Sequence, residues 1–318
     1  MTGSADRSAN LTPMSFRAKA LVRKLWMMVR QPRTVERDRL VVVDDDASAE
    51  PPIFLIGLHR SGTTVVRQIV DSHSRIACPP ETYFLQFLSA AADEKNFGIG
   101  LEQMGLDRSQ QIAGLRRAVD FYFRAYCAGK DKPRWAEKTP HYVEILPFIE
   151  ELYGPTCPYV MIFRHPLDVA NSLLNKGWDF IDYGDDPLGA VCDYIRDGLE
   201  RQLGWIDAHP ERCFSVHYER LVSEPAPLLR GMFEFVGEPW EEAVLNFNDM
   251  PHDQGTGDPE AQVLRGFRPS LSNWRGWKQA DIDTAWQRLG DLPTQLGYGL
   301  DPDQPLRDSP PVLEVVGR

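Results

Sequence analysis

The sequence lacks the features that mark secreted, membrane-spanning and zinc-binding proteins. Its five cysteines are scattered and form no C-x-x-C pair, a pattern that indicates reduced thiols and argues against a zinc site. No apolar stretch reaches the length that spans a bilayer, and the polar residues 1–6 are unlike a secretory signal. These absences predict a cytoplasmic protein.

The chain also lacks an overall positive charge. A formal net charge of −11 makes nucleic acid an unfavourable main partner, although a local basic pocket for an anion stays compatible with it. The charge is uneven, because residues 1–40 hold nine Lys and Arg against three Asp and Glu. Residues 16–30 fit a basic amphipathic helix, which either packs its apolar stripe on the domain or makes peripheral contact with an anionic membrane.

The chain is long enough for one large α/β domain or a domain and a half. The 318 residues are 42% hydrophobic and 25% charged, as is ordinary for globular proteins. We assign residues 1–50 to a basic N-terminal arm or helix, residues 51–300 to the main domain, and residues 301–318 to a proline-rich C-terminal tail.

The strongest local signal is a strand, a turn and a helix within residues 53–70. An apolar run ending at Gly57 predicts a buried strand, and the residues after Gly62 carry apolar side chains at helical spacing. The two glycines allow a tight turn, so that backbone N–H groups and the positive helix end converge on an anion. Thr63 stands where a nucleoside triphosphatase has lysine. The turn therefore predicts a phosphate site unsuited to a triphosphate, with a purely structural corner as the alternative.

Strands and helices alternate along the rest of the chain. The patterns predict further strands at residues 135–138, 158–163 and 213–217. They predict helices at residues 83–88, 110–128, 141–152, 166–176, 187–208 and 225–236. Residues 71–82 are expected as a loop, and residues 92–108 as a surface excursion without periodicity. This order predicts an α/β fold, a P-loop-like and mainly parallel sheet in a single domain, with helices on both faces and ligands beyond the carboxyl strand ends.

An arginine, Arg164, follows the predicted strand at residues 158–163. A nucleoside triphosphatase often places an aspartate for Mg²⁺ at this edge, whereas a fixed cation there favours an anion. Ser172 lies eight residues further on, inside the following helix, and can present a hydroxyl to the same group. By itself, an arginine at a strand end is equally typical of a solvated surface, and Ser172 alone indicates nothing. Together with the glycine-bracketed turn, they predict a ligand with two separated phosphates.

Five segments resemble the sulfotransferases that use 3′-phosphoadenosine-5′-phosphosulfate, and within them the branch containing the tyrosylprotein sulfotransferases. The segments are Arg60–Thr64, Glu81–Thr82, Glu137–Pro140, Phe163–Ser172 and Val216–Leu221. The resemblance extends from about residue 52 to about residue 300 and implies that this donor is bound and adenosine 3′,5′-bisphosphate released, without a metal.

The resemblance also implies which residues bind the donor. The turn would hold the 5′-phosphosulfate, and the cation at the second strand end would hold the 3′-phosphate. The implied donor-binding residues are Arg60, Ser61, Gly62, Thr63, Thr64, Arg164, Ser172, Tyr218, Ser272 and Trp274. Asn273 departs from the family pattern, which has a lysine there. The candidate replacement cations are Arg265, Arg268 and Arg275, of which we choose Arg265.

The resemblance implies catalytic roles for Glu81, Lys138 and Arg60. A carboxylate such as Glu81 can accept the proton of an attacking hydroxyl late in the reaction. Fixed cations can stabilise the charge that develops on the sulfuryl and bridging oxygens. The alternative bases are His59, His73 and His141.

We therefore expect transfer of a sulfuryl group to a hydroxyl of a small-molecule acceptor, whether phenolic, lipid or other. Two alternatives stay open: a P-loop nucleoside kinase or NTPase, which the missing loop lysine disfavours, and a catalytically inactive nucleotide-binding module. An apolar acceptor pocket would be lined by Tyr83, Phe84, Phe87, Phe121, Tyr122 and Trp178.

Overall fold

The computed structural model describes residues 50–255, 267 and 269–301. The predicted N-terminal arm with its amphipathic helix lies outside the described residues apart from Glu50, and so does the predicted tail apart from its first residue. Arg265 and Arg268, two of the three cations considered for the donor site, also lie outside them.

Five parallel strands form one sheet within the described part of the chain. The strands are β1 Ile53–Gly57, β2 Ile76–Ala77, β3 Arg134–Glu137, β4 Tyr159–Phe163 and β5 Cys213–His217. Their order across the sheet is β2-β3-β1-β4-β5. In register, Phe54 of β1 lies opposite Glu137 on one side and Tyr159 on the other. Because all strands are parallel, the carboxyl ends of β3, β1 and β4 lie side by side at one edge.

Helices connect the strands and cover both faces of the sheet. The helices are α1 Thr63–Asp71, α2 Phe84–Asp93, α3 Lys95–Gln103, α4 Arg108–Lys130, α5 Leu146–Tyr153, α6 Pro166–Lys176, α7 Pro187–Ala208, α8 Tyr218–Ser223, α9 Pro225–Phe235, α10 Gln279–Leu289 and α11 Leu292–Gln295. Short 3₁₀ helices occupy Pro140–Ile145, Pro210–Arg212, Glu242–Asp249 and Asn273–Gly276. None of the helices described here has the length and apolar character needed to cross a membrane.

The core consists of two layers, one on each face of the sheet. Alternate residues of a strand point to opposite faces, so Phe54 and Ile56 enter one layer while Ile53 and Leu55 enter the other. The first layer contains side chains of α4, α5, α6, α7 and α10, and the second contains side chains of α1 and α9. The predicted parallel sheet with helices on both faces is thus confirmed.

Some local predictions were wrong. Residues 92–108, expected as a surface excursion, do lie at the surface, but they contain helix α3, which buries no residue. The segment predicted as a loop at residues 71–82 includes the two-residue strand β2. The helix predicted at residues 141–152 begins as a 3₁₀ turn before α5 starts at Leu146.

Candidate active site

The turn between β1 and α1 has the geometry of an anion site. The Ser61 hydroxyl and backbone N–H both donate to the Leu58 carbonyl, at 2.7 and 3.2 Å, and close the turn. Gly62 precedes α1 with φ +97°, a left-handed conformation that suits glycine. No side chain of the described residues caps the start of α1. Its first backbone N–H groups are therefore without a side-chain acceptor, as an anion site at a helix start requires.

Both glycines of the turn are needed for close packing. A Cβ on Gly62 would lie 2.6 Å from a ring carbon of Tyr218, the first residue after β5. A Cβ on Gly57 would lie 2.8 Å from Thr63 and 2.9 Å from the Ile162 carbonyl oxygen. The Tyr218 ring thus lies directly against the predicted phosphate turn.

Arg164 links the turn to the end of β4. One of its terminal nitrogens donates to the Arg60 carbonyl at 2.9 Å, and the other donates to the Ser270 carbonyl at 2.5 Å. Its guanidinium lies 4.9 Å from the centre of the Tyr218 ring, and its Nε has no hydrogen-bond partner among the described residues. The Nε of Arg60 donates to the Ser172 hydroxyl at 2.7 Å. The structure therefore brings four predicted donor-binding residues together around β1 and β4.

The segment around Ser272 is hydrogen-bonded to the start of α6. The backbone N–H groups of Ser272 and Asn273 donate to the Asp168 carboxylate at 2.8 and 2.7 Å. The Trp274 ring is only 4% exposed and stacks on His165, with 5.3 Å between ring centres. These contacts give Trp274 a packing role in this structure. The donor-binding roles of Ser272 and Trp274 stay predictions.

Glu81 and Lys138 form an ion pair at the end of β3. Lys138 is 2% exposed and Glu81 is 11% exposed. The ammonium of Lys138 donates to one carboxylate oxygen of Glu81, and the hydroxyl of Tyr83 donates to the other. Burial by itself raises the pKa of Glu81, but Lys138 and the hydrogen bonds outweigh it, so the pKa lies below its ordinary value. Glu81 is therefore ionised at neutral pH.

Glu137 is a buried carboxyl directly beneath this pair. It is 1% exposed, and its Oε1 accepts hydrogen bonds from the hydroxyls of Thr82 at 2.9 Å and Thr139 at 2.8 Å. Its Oε2 has no partner among the described residues. Burial raises the pKa of Glu137 to about 7. The raised pKa of Glu137 could not be predicted from the sequence, because a short strand does not show which of its sides is buried.

Two of the three histidines considered as bases lie near Glu81. The His59 ring lies 4.5 Å from the His141 ring, and its Nδ1 lies 2.6 Å from the Tyr194 hydroxyl. His141 also lowers the pKa of Glu81, though less than Lys138 does. His73 is fully buried elsewhere, with its Nε2 at 2.8 Å from the Pro239 carbonyl oxygen.

Aromatic side chains surround the histidine pair. Trp178 lies 5.6 Å and Phe180 4.3 Å from the His59 ring centre. Trp178 was predicted to line the acceptor pocket, whereas Phe180 and Tyr194 were not. Their contacts with His59 arise only when α7 and the loop before it pack on the β1 turn. Three other aromatic side chains that were predicted to line the acceptor pocket lie on α2 and α4 and are exposed. These are Phe87, Phe121 and Tyr122.

The part of the chain that the structure describes contains no group of three or more His, Cys, Asp or Glu residues that could hold a metal ion. The five cysteines are free thiols, four of them buried. Burial raises the pKa of Cys127 to about 12, which makes it unreactive at neutral pH.

Comparisons with known proteins agree with the resemblance. A model of the sulfotransferase family matches residues 51–242, more than half of the chain. A protein-tyrosine sulfotransferase of Drosophila melanogaster is 23% identical over 265 residues, covering 78% of this chain and 52% of the relative. An uncharacterised protein of Aquifex aeolicus is 26% identical over 239 residues, covering 72% and 31%. The chain thus spans about half of the length of the Drosophila protein and about a third of the length of the Aquifex protein.

A solved structure shows the same fold. The sulfotransferase domain from the Synechococcus PCC 7002 olefin synthase superposes with a TM-score of 0.58 at 22% identity, covering 81% of this chain and 98% of that domain. The family match covers β1, β3, β4 and β5 and therefore every strand end that forms the site. From the family match and this geometry, we conclude that the chain belongs to the sulfotransferase family.

Proposed function

We propose that the chain transfers a sulfuryl group from 3′-phosphoadenosine-5′-phosphosulfate to a hydroxyl of a small-molecule acceptor. One observation carries the proposal. Adjacent ends of β3, β1 and β4 bring a buried carboxylate–ammonium pair and a cluster of arginine and hydroxyl groups to one edge of the sheet. This transfer requires a base next to a site that binds the two phosphate groups of the donor.

The residues at this edge fit the donor. Gly62 packs its backbone directly against the Tyr218 ring, which leaves no room for a Cβ, and its left-handed conformation forms the tight turn that precedes α1. The Nε of Arg164, which has no hydrogen-bond partner within the described part of the chain, offers a buried donor for an anion. Residues 61–64 would hold the 5′-phosphosulfate, and Arg164 with Ser172 would hold the 3′-phosphate. Binding would exchange the 2.7 Å hydrogen bond between Arg60 and Ser172 for contacts with the donor.

The protein's own side chains supply the proton acceptor and the fixed cations for the transfer. When bound, the donor supplies an activated sulfuryl group, whose bond to the phosphate oxygen breaks as the acceptor oxygen attacks sulfur. Glu81 would take the acceptor's proton, and its lowered pKa keeps it ready in the ionised form. Lys138 and Arg60 would stabilise the developing negative charge. Because these cations perform that task, chelation with EDTA should leave turnover unchanged.

The surroundings of Glu81 support a small apolar acceptor with a hydroxyl. His141, which interacts with the carboxylate, belongs to an aromatic cluster in which the rings of His59 and Phe180 each lie within 6 Å of the rings of His141 and Trp178. Aromatic walls with few polar groups are typical of small-molecule sites. A protein tyrosine is the second candidate acceptor, favoured by the similarity to protein-tyrosine sulfotransferases.

A donor carrying ³⁵S in its sulfuryl group tests the proposal. Purified protein is incubated with this donor and, separately, 2-naphthol, a sterol and a tyrosine peptide, with and without EDTA. We expect labelled 2-naphthol. Glu81→Gln should lower turnover by roughly 10²- to 10⁴-fold with unchanged donor affinity. The matched control is Glu102→Gln, which replaces an exposed glutamate on α3.

Three results would contradict the proposal. Phosphoryl transfer from ATP that depends on Mg²⁺ would indicate the kinase or NTPase. Tight binding of adenosine 3′,5′-bisphosphate without turnover, unaffected by Glu81→Gln, would indicate an inactive binding module. Unchanged donor affinity in Arg164→Ala would show that the second phosphate lies elsewhere.

A further inference from the structure

Tyr83 has an unusual backbone conformation beside the proposed base. Its φ of +59° is one of four positive values at non-glycine residues in the described part of the chain. A bulky side chain is rare in this left-handed region, because its Cβ crowds the backbone. Such strain persists only where the surrounding structure enforces it, and it is common at functional sites. The position therefore calls for a physical explanation.

Hydrogen bonds on both sides of Tyr83 enforce this conformation. The Thr82 backbone N–H donates to the Thr139 hydroxyl at 3.1 Å, and the Thr82 hydroxyl donates to buried Glu137 at 2.9 Å. Two residues after Tyr83, the Leu85 backbone N–H donates to the Tyr142 hydroxyl at 3.1 Å, and the Leu85 side chain is fully buried. The chain is thus held before and after Tyr83, and the strain falls on the residue between.

The conformation turns the Tyr83 side chain back toward Glu81, two residues earlier. Its hydroxyl donates to Oε2 of Glu81, while Lys138 donates to Oε1. A carboxylate held at both oxygens keeps one orientation, whereas one held at a single oxygen can rotate. The phenol is a neutral donor, so it holds the carboxylate without adding charge near the acceptor.

We propose that Tyr83 is a positioning residue for Glu81, whose strained turn keeps its phenol hydroxyl on the proposed base and so aims the carboxylate at the acceptor. This inference rests on the proposed function, because it assigns Glu81 the role of base. Tyr83 acts through Glu81 and not on the reacting atoms. Replacing its hydroxyl should therefore change the chemical step and leave the donor site intact.

The other groups facing Glu81 determine the expected pH response. They are Lys138 at the end of β3, His141 on the 3₁₀ helix, Glu137 beneath, and Tyr194 on α7. All of these are unchanged in Tyr83→Phe, which removes one hydrogen bond to the charged form of Glu81. The pKa of Glu81 should then rise, and the acidic limb of the rate profile should move to higher pH.

The test compares wild type, Tyr83→Phe and the control Tyr159→Phe, which removes a phenol hydroxyl bonded to Glu150 at the first residue of β4, the strand end opposite the site. Rates with 2-naphthol and the labelled donor are measured from pH 3 to 8, because the pKa of Glu81 is lowered in wild type, and donor affinity is measured by calorimetry. We expect Tyr83→Phe to lower kcat by about 10- to 100-fold, as for one lost charged hydrogen bond. Donor affinity should be unchanged, and the acidic limb should shift upward. The control should match wild type in all three measurements.

A second measurement does not depend on turnover. The carboxylate band of Glu81 is assigned in the infrared spectrum by subtracting the Glu81→Gln spectrum and is then followed with pH. Its midpoint should rise in Tyr83→Phe. An unchanged midpoint together with an unchanged acidic limb would overturn the role of Tyr83, even if sulfuryl transfer itself is found. If wild type transfers no sulfuryl group, the proposed function fails, and the infrared midpoint alone decides whether Tyr83 holds Glu81.

Discussion

Glu137 should make the stability of the folded chain depend on pH near neutrality. The carboxyl is 1% exposed, and one of its oxygens has no partner in the described part of the chain. Burial raises its pKa to about 7 from the ordinary value of 4.5. Glu137→Gln preserves the shape of the side chain and the oxygen that accepts from Thr82 and Thr139, but it removes the titration.

The sign and size of the effect follow from these two pKa values. Below pH 4.5 the carboxyl is protonated in both the folded and the unfolded chain, so its stabilising contribution is fully present. Between pH 4.5 and about 7 the unfolded chain ionises while the folded chain keeps the proton, and the contribution decreases. Above pH 7 it is lost. At 1.36 kcal/mol per pKa unit, wild type should lose at most about 3 kcal/mol relative to Glu137→Gln between pH 4 and 8.

Urea unfolding monitored by tryptophan fluorescence at pH 4, 5, 6, 7 and 8 measures this difference. The free energy of unfolding of Glu137→Gln minus that of wild type should rise steadily with pH and level off above pH 7. Glu102→Gln, at an exposed position, should stay within about 0.5 kcal/mol of wild type throughout. A constant difference between Glu137→Gln and wild type would refute the reasoning, since it would mean that Glu137 ionises equally well in both states.

Three further predictions concern the strand ends and the opposite edge of the sheet. Gly62→Ala places a Cβ 2.6 Å from Tyr218, so donor affinity measured by calorimetry should fall at least about tenfold; unchanged affinity would exclude this turn from the donor site. Lys138→Ala should reduce kcat by roughly 10²- to 10³-fold and raise the pKa of Glu81; a full rate would remove the lysine from the mechanism. Glu238→Ala leaves the buried guanidinium of Arg134, on β3 and 3.0 Å away, without its counter-ion. The free energy of unfolding in urea should fall by about 3 kcal/mol, and a fall below about 1 kcal/mol would contradict this.

Local features of the sequence were sufficient to predict the sheet and the phosphate turn. Fully buried parallel strands are continuous apolar runs, which made the strand ending at Phe163 easy to recognise. Helices α6 and α7 have the predicted bounds because proline stands at the first position of each. Helix α3 was missed because it contains two glycines, which are poor helix formers, and has no proline at its start.

Contacts between distant segments were decided only by the tertiary structure. The ion pair of Glu81 with Lys138 joins residues 57 positions apart, and it forms because β2, which precedes Glu81, pairs with β3, which ends just before Lys138. The contact of His59 with Tyr194 spans 135 positions, and the positive φ of Tyr83 arises from hydrogen bonds made by its neighbours. Residue types and their spacing determined which groups stand at the strand ends. Strand order and packing determined which of these groups meet, because no local pattern specifies a neighbour across the sheet.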